Sequence, residues 1–298
     1  MSALLTVERL VKKFGKTQVL HGVSFSVEKG ETFGLVGESG CGKTTVGRTV
    51  LGIYPADGGS AHFHGQEILG LQGKERKAFA KKAQMIFQDP IASLNPRMTV
   101  KEILSEGLII HGEKRGKMLD EKVEKALAEV GLPLTALGRY PHEFSGGQRQ
   151  RIGIARAIVL EPEFIIADEP VSALDVSVQA QVINLLSDLK KEKGLTVLFV
   201  AHDLSVVKYF CDRVAVMYGG QIVEIAPSER LFSKPKHPYT KSLLSAIPLP
   251  DPSRSGRKKR LPFEEKIGEN IGAGTCLTEI AAGHFVRMKG VENVENEG

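Results

Sequence analysis

The chain has 298 residues, of which 42% are hydrophobic, 25% charged and 6% aromatic, and its formal net charge is +5. These values exclude a disordered or fibrous protein and are typical of a globular chain with one large domain and an appendage, or with two domains. Three widely spaced cysteines without a CxxC pair predict neither a disulfide framework nor a zinc site, which favours a reducing compartment.

The positive charge is weak and local. Basic residues cluster only at 74–82 and 254–260, and we interpret both clusters as solvated faces. Phosphate backbones and anionic lipids attract the same residue types, but a large basic surface is missing, so no nucleic acid partner is expected. No run approaches the roughly 18–20 apolar residues that span a bilayer, so a role at a membrane would require spans from another chain.

Short strand-like runs dominate the beginning of the chain. Three of them are separated by turns: 4–10, 23–27 and 32–36. The third leads into a glycine-rich loop. From residue 100 to about residue 131 the pattern becomes helical, because Val123, Leu127 and Val130 recur at helical spacing between charged residues. This segment is predicted to be a helical insertion.

Helices and strands alternate in the second half. A helical stretch after Ser145 leads to an apolar run at 164–167, and an amphipathic helix at 176–189 precedes a buried strand at 196–201. This alternation predicts a largely parallel α/β core.

The core is predicted to end in a hairpin. Two strand runs, 213–217 and 221–225, flank Gly219 and Gly220, as in a tight antiparallel connection. The core is predicted to close near residue 235, after which prolines and a basic run interrupt regular structure. We expect a tail that packs only partly on the core and ends in a frayed acidic segment.

Residues 37–44 form the first motif that carries chemistry. They read Gly-Glu-Ser-Gly-Cys-Gly-Lys-Thr and fit GxxxxGK[ST], directly after a strand run and before a helical stretch. Glycines let the backbone aim successive N–H groups at phosphate oxygens, and the helix N-terminus adds partial positive charge. Lys43 is predicted to bridge the β- and γ-phosphates. The predicted ATP-binding residues here are Gly37, Glu38, Ser39, Gly40, Cys41, Gly42, Lys43, Thr44 and Thr45.

Two acidic residues end the apolar run at 164–167. Carboxylates in this position are costly unless they meet a cation or a reacting group. Asp168 is predicted to hold Mg²⁺ together with the Thr44 hydroxyl, and Glu169 to polarise the water that attacks the γ-phosphate. Taken alone the two acids are ambiguous, but combined with the phosphate loop they indicate a P-loop NTPase.

A glycine pair indicates which kind of NTPase this is. Residues 144–148, Phe-Ser-Gly-Gly-Gln, resemble the ABC signature LSGGQ, with Phe144 in place of leucine. In ABC ATPases a loop of this type faces the γ-phosphate bound to the other subunit, using backbone N–H groups and a helix dipole. The resemblance assigns that loop to Ser145, Gly146, Gly147 and Gln148.

The same resemblance implies roles for further residues. Gln88 is similar to the Q-loop glutamine that contacts Mg²⁺ and the attacking water, and His202 to the switch histidine that contacts the γ-phosphate. Ser172 and Asp175 match the D-loop, which passes across the dimer interface. Phe14 is either the aromatic residue that stacks on adenine or a residue of the core.

The resemblance covers most of the chain and implies its domain organisation. Residues 1–235 are expected to form an ABC ATPase nucleotide-binding domain of the α/β class, with a RecA-like P-loop core, an antiparallel β subdomain and a helical insertion at about 90–155. Residues 236–298 would be a short C-terminal extension. Segments 87–97 and 236–244 are similar to those of the oligopeptide and dipeptide importers.

By resemblance, the chain is an ATP- and Mg²⁺-dependent ATPase that powers an importer, with oligopeptides or dipeptides as the expected cargo. ATP would close a head-to-tail dimer coupled to separate membrane subunits. Expected partners are two membrane-spanning permease subunits, a second ATPase that is a sister chain or another copy, and indirectly an extracytoplasmic substrate-binding protein. The expected location is the cytoplasmic face of a bacterial cell membrane.

Several alternatives stay open at this point. Nickel and oligosaccharide importers belong to the same branch, and a soluble ABC ATPase of translation or DNA repair carries the same motifs. An exporter or a non-catalytic regulator fits less well, because the tail is importer-like and both Lys43 and Glu169 are present. Members of this branch often carry several tail cysteines that can ligate an iron–sulfur cluster. Only Cys276 lies in this tail, so no cluster is expected.

Overall fold

The fold is given by a computed structural model, which describes residues 3–172, 174–246, 263 and 274–289. The strands in these ranges are β1 Ala3–Phe14, β2 Thr17–Glu28, β3 Thr32–Val36, β4 Gly58–Phe63, β5 Gln66–Glu67, β6 Ala83–Ile86, β7 Phe164–Asp168, β8 Thr196–Ala201, β9 Arg213–Tyr218, β10 Gln221–Pro227, β11 Thr275–Ala281 and β12 His284–Lys289. The α-helices are α1 Lys43–Val50, α2 Gly73–Lys82, α3 Val100–Ile110, α4 Lys117–Glu129, α5 Gly146–Ile158, α6 Val176–Lys193, α7 Leu204–Phe210, α8 Ser228–Ser233 and α9 Pro238–Ser245. Two short 3-10 helices lie at Leu134–Ala136 and Pro141–Glu143.

A mixed sheet forms the core and confirms the predicted parallel arrangement. Its order in the described residues is β11-β12-β10-β9-β3-β8-β7-β6, and the strands from β9 to β6 run parallel. Every residue of β3, β7 and β8 is buried. Strands covered on both faces read as continuous apolar runs, which explains why these three were visible in the sequence.

An antiparallel sheet in the order β2-β1-β4-β5 packs against one side of this core. Strands β1 and β2 extend well past the predicted runs 4–10 and 23–27, and the ladder continues to the pair Phe14 and Thr17. Because only one of residues 11–14 and one of residues 17–22 is buried, the apolar pattern marks only part of each strand.

The helical insertion consists of more than one helix. Val123, Leu127 and Val130 are fully buried, as their spacing predicted. The segment is broken between α3 and α4, where Gly112 and Gly116 take φ values of 94° and 149°. Such conformations interrupt a right-handed helix and favour glycine.

The C-terminal region adds to the main sheet. The predicted hairpin is confirmed as β9 and β10, and β12 then pairs antiparallel with β10 while β11 pairs with β12. The last two strands were not predicted, although β-forming residues flank Gly283, whose φ is 67°. The division at residue 235 stays a prediction. The basic run at 254–260 and the acidic end at 292–298 lie outside the described residues.

No helix in the described ranges is both long and apolar enough to cross a lipid bilayer.

Candidate functional site

The predicted phosphate loop connects β3 to α1. Gly42 is the N-cap of α1 and has φ 106°. Because it has no side chain, it cannot accept a hydrogen bond from the first N–H groups of the helix. A Cβ at Gly37 would lie 2.2 Å from the carbonyl oxygen of Met217, and one at Gly42 would lie 2.9 Å from the Leu20 side chain. The loop therefore depends on glycine to pass between β2 and β9, and it presents helix N–H groups suited to an anion.

Lys43 lies inside this loop. Its side chain is almost fully buried, and its ammonium group donates to the carbonyl oxygens of Gly37 at 2.8 Å and of Glu38 at 2.9 Å. A buried ammonium without such partners would be costly. The loop therefore holds a positive charge among its own carbonyl groups, where phosphate oxygens could replace them.

The end of β7 meets the start of α1. The Thr44 hydroxyl donates to Oδ1 of Asp168 at 2.8 Å. Asp168 is fully buried, and burial raises the pKa of its carboxyl group. Its Oδ2 atom has no hydrogen-bond partner among the described residues, which is unusual for a buried polar atom. Carboxylate and hydroxyl oxygens are the ligands that Mg²⁺ prefers, so this pair fits the ion.

Three predicted catalytic residues come together at Glu169. Its Oε2 atom accepts from Nε2 of Gln88 at 2.9 Å and lies 2.9 Å from Nδ1 of His202. The backbone of Glu169 has φ 45°, an uncommon value outside glycine, and its N–H donates to the carbonyl oxygen of Val200 on β8. Strain of this kind costs about 1–3 kcal/mol and is typical of functional sites.

The predicted D-loop follows directly. The Ser172 hydroxyl donates to the carbonyl oxygen of Glu169 at 3.1 Å, which ties this loop to the acidic pair. Asp175 is the N-cap of α6, but its side chain makes no capping hydrogen bond. Its exposed carboxylate is therefore left for contacts outside the helix.

The predicted signature loop begins α5 at a separate place. Ser145 and Gln148 form a capping box: the N–H of Gln148 donates to Ser145 Oγ at 3.4 Å, and the N–H of Ser145 donates to Gln148 Oε1 at 3.0 Å. Ser145 and Gly146 are exposed. A Cβ at Gly147 would lie 2.4 Å from the side chain of Val178. In the described part of the chain, no hydrogen bond joins this loop to residues 37–44.

Phe14 lies at the surface rather than in the core. Its side chain is 45% exposed, packs edge-on against Tyr54 with ring centroids 5.2 Å apart, and has the Lys12 ammonium 5.2 Å from its ring centre. An exposed, fixed aromatic ring at a strand end is compatible with stacking on a base.

Two residues that contact the site were not predicted from the sequence. The Tyr239 hydroxyl accepts from the N–H of Glu38 in the phosphate loop at 3.2 Å. Arg156 on α5 donates to the carbonyl oxygen of Ser93 and lies with its guanidinium 5.5 Å from the ring centre of Phe87. Both residues act over long sequence separations, so spacing in the sequence carried no signal for these contacts.

Comparisons with protein families place the site in a known context. The family model described as ABC transporter matches residues 20–172. The model described as Oligopeptide/dipeptide transporter, C-terminal region, matches residues 223–276. The two models together include most of the site loops and the helix that carries Tyr239.

Individual proteins are similar over nearly the whole length. The oligopeptide transport ATP-binding protein OppF of Bacillus subtilis is 53% identical over 290 residues, covering 95% of each chain. The OppF protein of Streptococcus mutans is 54% identical over 275 residues, covering 92% of this chain and 89% of its own.

Solved structures share the fold at lower identity. The chain cbiO1 from Clostridium perfringens, part of an ABC transporter complex, has a TM-score of 0.71 at 27% identity over 78% of this chain and 92% of its own. The ATP-binding cassette MJ0796, in a dimeric post-hydrolysis state bound to ADP and Pi, has a TM-score of 0.68 at 26% identity over 75% of this chain and 98% of its own.

Proposed function

The chain belongs to the ABC transporter family, in its oligopeptide/dipeptide branch. We propose that the site described above binds and hydrolyses ATP and that this reaction energises import. The family, the fold class and the ATPase activity predicted from the sequence are confirmed by these matches. As the ATP-binding subunit it hydrolyses ATP to drive oligopeptide or dipeptide uptake. The roles of individual residues and partners below are part of the proposal.

The phosphate loop and the end of β7 would bind ATP with its metal ion. Lys43 would exchange its two carbonyl partners for phosphate oxygens, and helix α1 would direct its N–H groups at them. The unpartnered oxygen of Asp168 and the hydroxyl of Thr44 would hold Mg²⁺. The ion, when bound, neutralises charge on the phosphates. Phe14 would stack on the adenine ring.

Glu169 carries the catalytic part of the proposal. Its carboxylate would accept a hydrogen bond from the attacking water and orient that water toward the γ-phosphate. Gln88 and His202 hold the carboxylate from two other loops, so its position is fixed before the nucleotide arrives. This convergence of two side chains on one carboxylate oxygen of Glu169 is the observation that best supports hydrolysis.

A second ATPase subunit would complete the site. Ser145 and Gly146 are exposed at the start of α5, where a helix N-terminus can bind an anion brought by another chain. We propose a head-to-tail dimer in which this signature loop faces the γ-phosphate held by the partner, with Ser172 and Asp175 at the interface. The partner would be a sister chain or a second copy.

A groove between the core and the helical insertion would receive the permease subunits. It encloses about 270 Å³ and is lined by Ile53 after α1, Ile110 at the end of α3, and Arg156. One guanidinium nitrogen of Arg156 is buried without a partner among the described residues. Arg156 also binds the chain on both sides of Gln88, so a segment docked here would act directly on the Q-loop.

This arrangement implies where the protein works. Two permease subunits would each place a cytoplasmic segment in such a groove, and a substrate-binding protein outside the membrane would deliver the peptide. The chain would then lie at the cytoplasmic face of the cell membrane. ATP binding would close the ATPase pair, and hydrolysis would reopen it.

Copurification tests the proposed assembly. A tagged Glu169→Gln chain would be expressed in its native cell, and membranes would be solubilised gently with ATP and Mg²⁺ present. Mass spectrometry is expected to identify two polytopic membrane proteins and a second ATPase. Recovery of ribosomal or DNA-repair proteins instead would contradict the transport assignment, and permeases of nickel or oligosaccharide importers would contradict the peptide cargo.

A further inference from the structure

One peptide unit of the phosphate loop is held at both of its polar ends. The carbonyl group of Gly37 accepts from the Lys43 ammonium at 2.8 Å. The N–H of Glu38 belongs to the same peptide unit, and it donates to the Tyr239 hydroxyl at 3.2 Å. The tyrosine therefore fixes the plane of the peptide whose carbonyl group holds the lysine.

The surroundings of this peptide unit leave it little freedom. A Cβ at Gly37 would lie 2.2 Å from the carbonyl oxygen of Met217, so the backbone of β9 closes one side. The Tyr239 ring is 2% exposed and packs against the ring of Tyr218 with centroids 4.5 Å apart. Phe263 also packs against the Tyr239 ring, with centroids 5.3 Å apart.

Tyr239 is itself fixed by a buried polar cluster. Its backbone N–H donates to Nδ1 of His237 at 3.1 Å, which caps helix α9. The N–H of His237 donates to Oε2 of Glu224 at 2.9 Å, and Nε2 of His284 lies 2.7 Å from Oε1 of the same carboxylate. Glu224, His237 and His284 are all at most 1% exposed. A continuous set of contacts thus joins strand β12 to the phosphate loop.

From this geometry we infer that Tyr239 is a positioning residue for ATP binding, through which the C-terminal extension orients the phosphate loop. It would touch neither ATP nor Mg²⁺ and would act through the peptide unit between Gly37 and Glu38. Nucleotide binding draws Lys43 away from Gly37, and the loop then loses one of its two restraints. The tyrosine hydroxyl supplies the restraint that remains.

The chemistry of the hydroxyl suits this role. Burial raises the pKa of Tyr239, so the group stays neutral and accepts from the backbone N–H at every physiological pH. The inference rests on the proposed phosphate-binding role of residues 37–44 and adds to it a residue from the region that the oligopeptide/dipeptide C-terminal model covers.

The test compares two buried hydroxyl groups on the same helix. Tyr239→Phe removes the acceptor and keeps the ring, whereas Thr240→Val removes a fully buried hydroxyl that has no hydrogen-bond partner among the described residues. Titration of the purified full-length protein with ATP, and separately with ADP, would measure the two dissociation constants. Tyr239→Phe is expected to weaken both nucleotides about 3- to 10-fold, the effect of one lost hydrogen bond, and Thr240→Val to leave both unchanged.

Steady-state kinetics separates positioning from a general loss of structure. In Tyr239→Phe the KM for ATP is expected to rise by the same factor, while kcat at saturating ATP stays within about twofold of the wild type. An equal fall of kcat in both variants would contradict the inference.

Hydrogen exchange tests the contact itself, because it measures the protection of the Glu38 amide directly. The Glu38 amide is expected to be protected in the nucleotide-free wild type and to exchange faster in Tyr239→Phe. Rapid exchange in the wild type, or wild-type nucleotide affinity in Tyr239→Phe, would overturn the role of Tyr239 alone. Failure of the wild type to bind ATP would instead contradict the proposed function.

Discussion

At the scale of single residues, Asp168 is the site residue whose buried carboxylate lacks a hydrogen-bond partner on one oxygen within the described part of the chain. It is fully buried, one of its oxygens accepts from Thr44, and the other has no partner among the described residues. Burial alone would favour the protonated acid, whereas Mg²⁺ binds only the carboxylate. We propose that a bound Mg²⁺ is the missing partner of this second oxygen.

This conflict predicts a pH dependence. Burial raises the pKa of Asp168 above its ordinary value of 3.8. As the pH is lowered from neutrality, protons should compete with Mg²⁺ earlier than they would at an exposed aspartate. The Mg²⁺ concentration for half-maximal ATPase activity is therefore expected to rise as the pH falls, and excess Mg²⁺ should restore activity. ATP binding in EDTA over the same range is the control, and a Mg²⁺ requirement that does not change with pH would refute this role.

Gly37 illustrates how tightly the loop is packed. Gly37→Ala would place a Cβ 2.2 Å from the Met217 carbonyl oxygen, so we expect a loss of about 1–3 kcal/mol in stability and weaker ATP binding. Gly153→Ala, inside α5 with nothing within 4 Å of the new Cβ, should instead gain about 0.5–1 kcal/mol. Chemical denaturation of both variants measures the difference. Equal stability of the two variants would show that the loop can accommodate a Cβ at residue 37.

The sequence predicted the site residues that belong to short local motifs. Lys43 and Thr44 follow from a glycine pattern with a known mechanism, and Asp168 and Glu169 from the cost of placing acids at the end of a buried strand. Tyr239 could not be predicted, because its contact with Glu38 depends on how the C-terminal helix packs on the finished core.

At the scale of secondary-structure elements, the C-terminal strands are anchored by buried polar groups. β12 pairs with β10, and the carboxylate of Glu224 is bonded by two backbone N–H groups as well as by His284. Removing one partner of a buried group costs more than the pair contributes as a whole, because the remaining group stays desolvated. The hairpin of β11 and β12 should therefore be a cooperative part of the fold.

Two histidine variants test this anchoring. His284→Ala is expected to lower the free energy of unfolding by about 2–4 kcal/mol, because the buried carboxylate of Glu224 loses a partner. His62→Ala, whose partner Glu67 lies 3.5 Å away at a partly exposed position, should cost less than about 1 kcal/mol. Urea denaturation provides both values. A cost for His284→Ala as small as that of the control would show that the hairpin does not depend on this contact.

Element types were predicted where burial left a clear apolar pattern in the sequence. β3, β7 and β8 are buried on both faces and were found as apolar runs. The break between α3 and α4 was missed because the prediction used only the helical spacing of Val123, Leu127 and Val130, which lie in α4 or at its end. Residues 111–117, which include Gly112 and Gly116, carry no apolar side chain. Strands β11 and β12 were missed because β11 has no buried residue and both strands follow a proline-rich stretch.

At the scale of the whole molecule, one helix connects the predicted dimer contact to the groove. α5 begins at the exposed signature loop, and its Arg156 binds the chain that flanks Gln88. A rigid helix with functional contacts at both ends transmits a displacement of one end to the other. We therefore expect closure of the ATPase pair to displace the residues that line the groove.

A charged substitution in the groove should separate assembly from ATP binding. Ile110 is 57% exposed and lines the groove, so Ile110→Asp is expected to abolish association with the permease subunits while ATP binding by the chain stays intact. Met118→Asp is the control, because Met118 is 74% exposed on the same helical insertion and does not line the groove. Detergent copurification of permeases measures the effect. Equal recovery with both variants would place the docking surface elsewhere.

The ATPase rate of Glu169→Gln in the assembled transporter decides whether Glu169 acts in hydrolysis. Glu163→Gln, just before the opposite end of β7, is the matched control, because its carboxylate pairs with the partly exposed side chains of His64 and Lys82 and lies away from the site. If Glu169 orients the attacking water, its variant should bind ATP normally, accumulate the closed dimer and hydrolyse ATP at least about 100-fold more slowly, with the control at the wild-type rate. Turnover by Glu169→Gln at the wild-type rate would contradict the proposed mechanism.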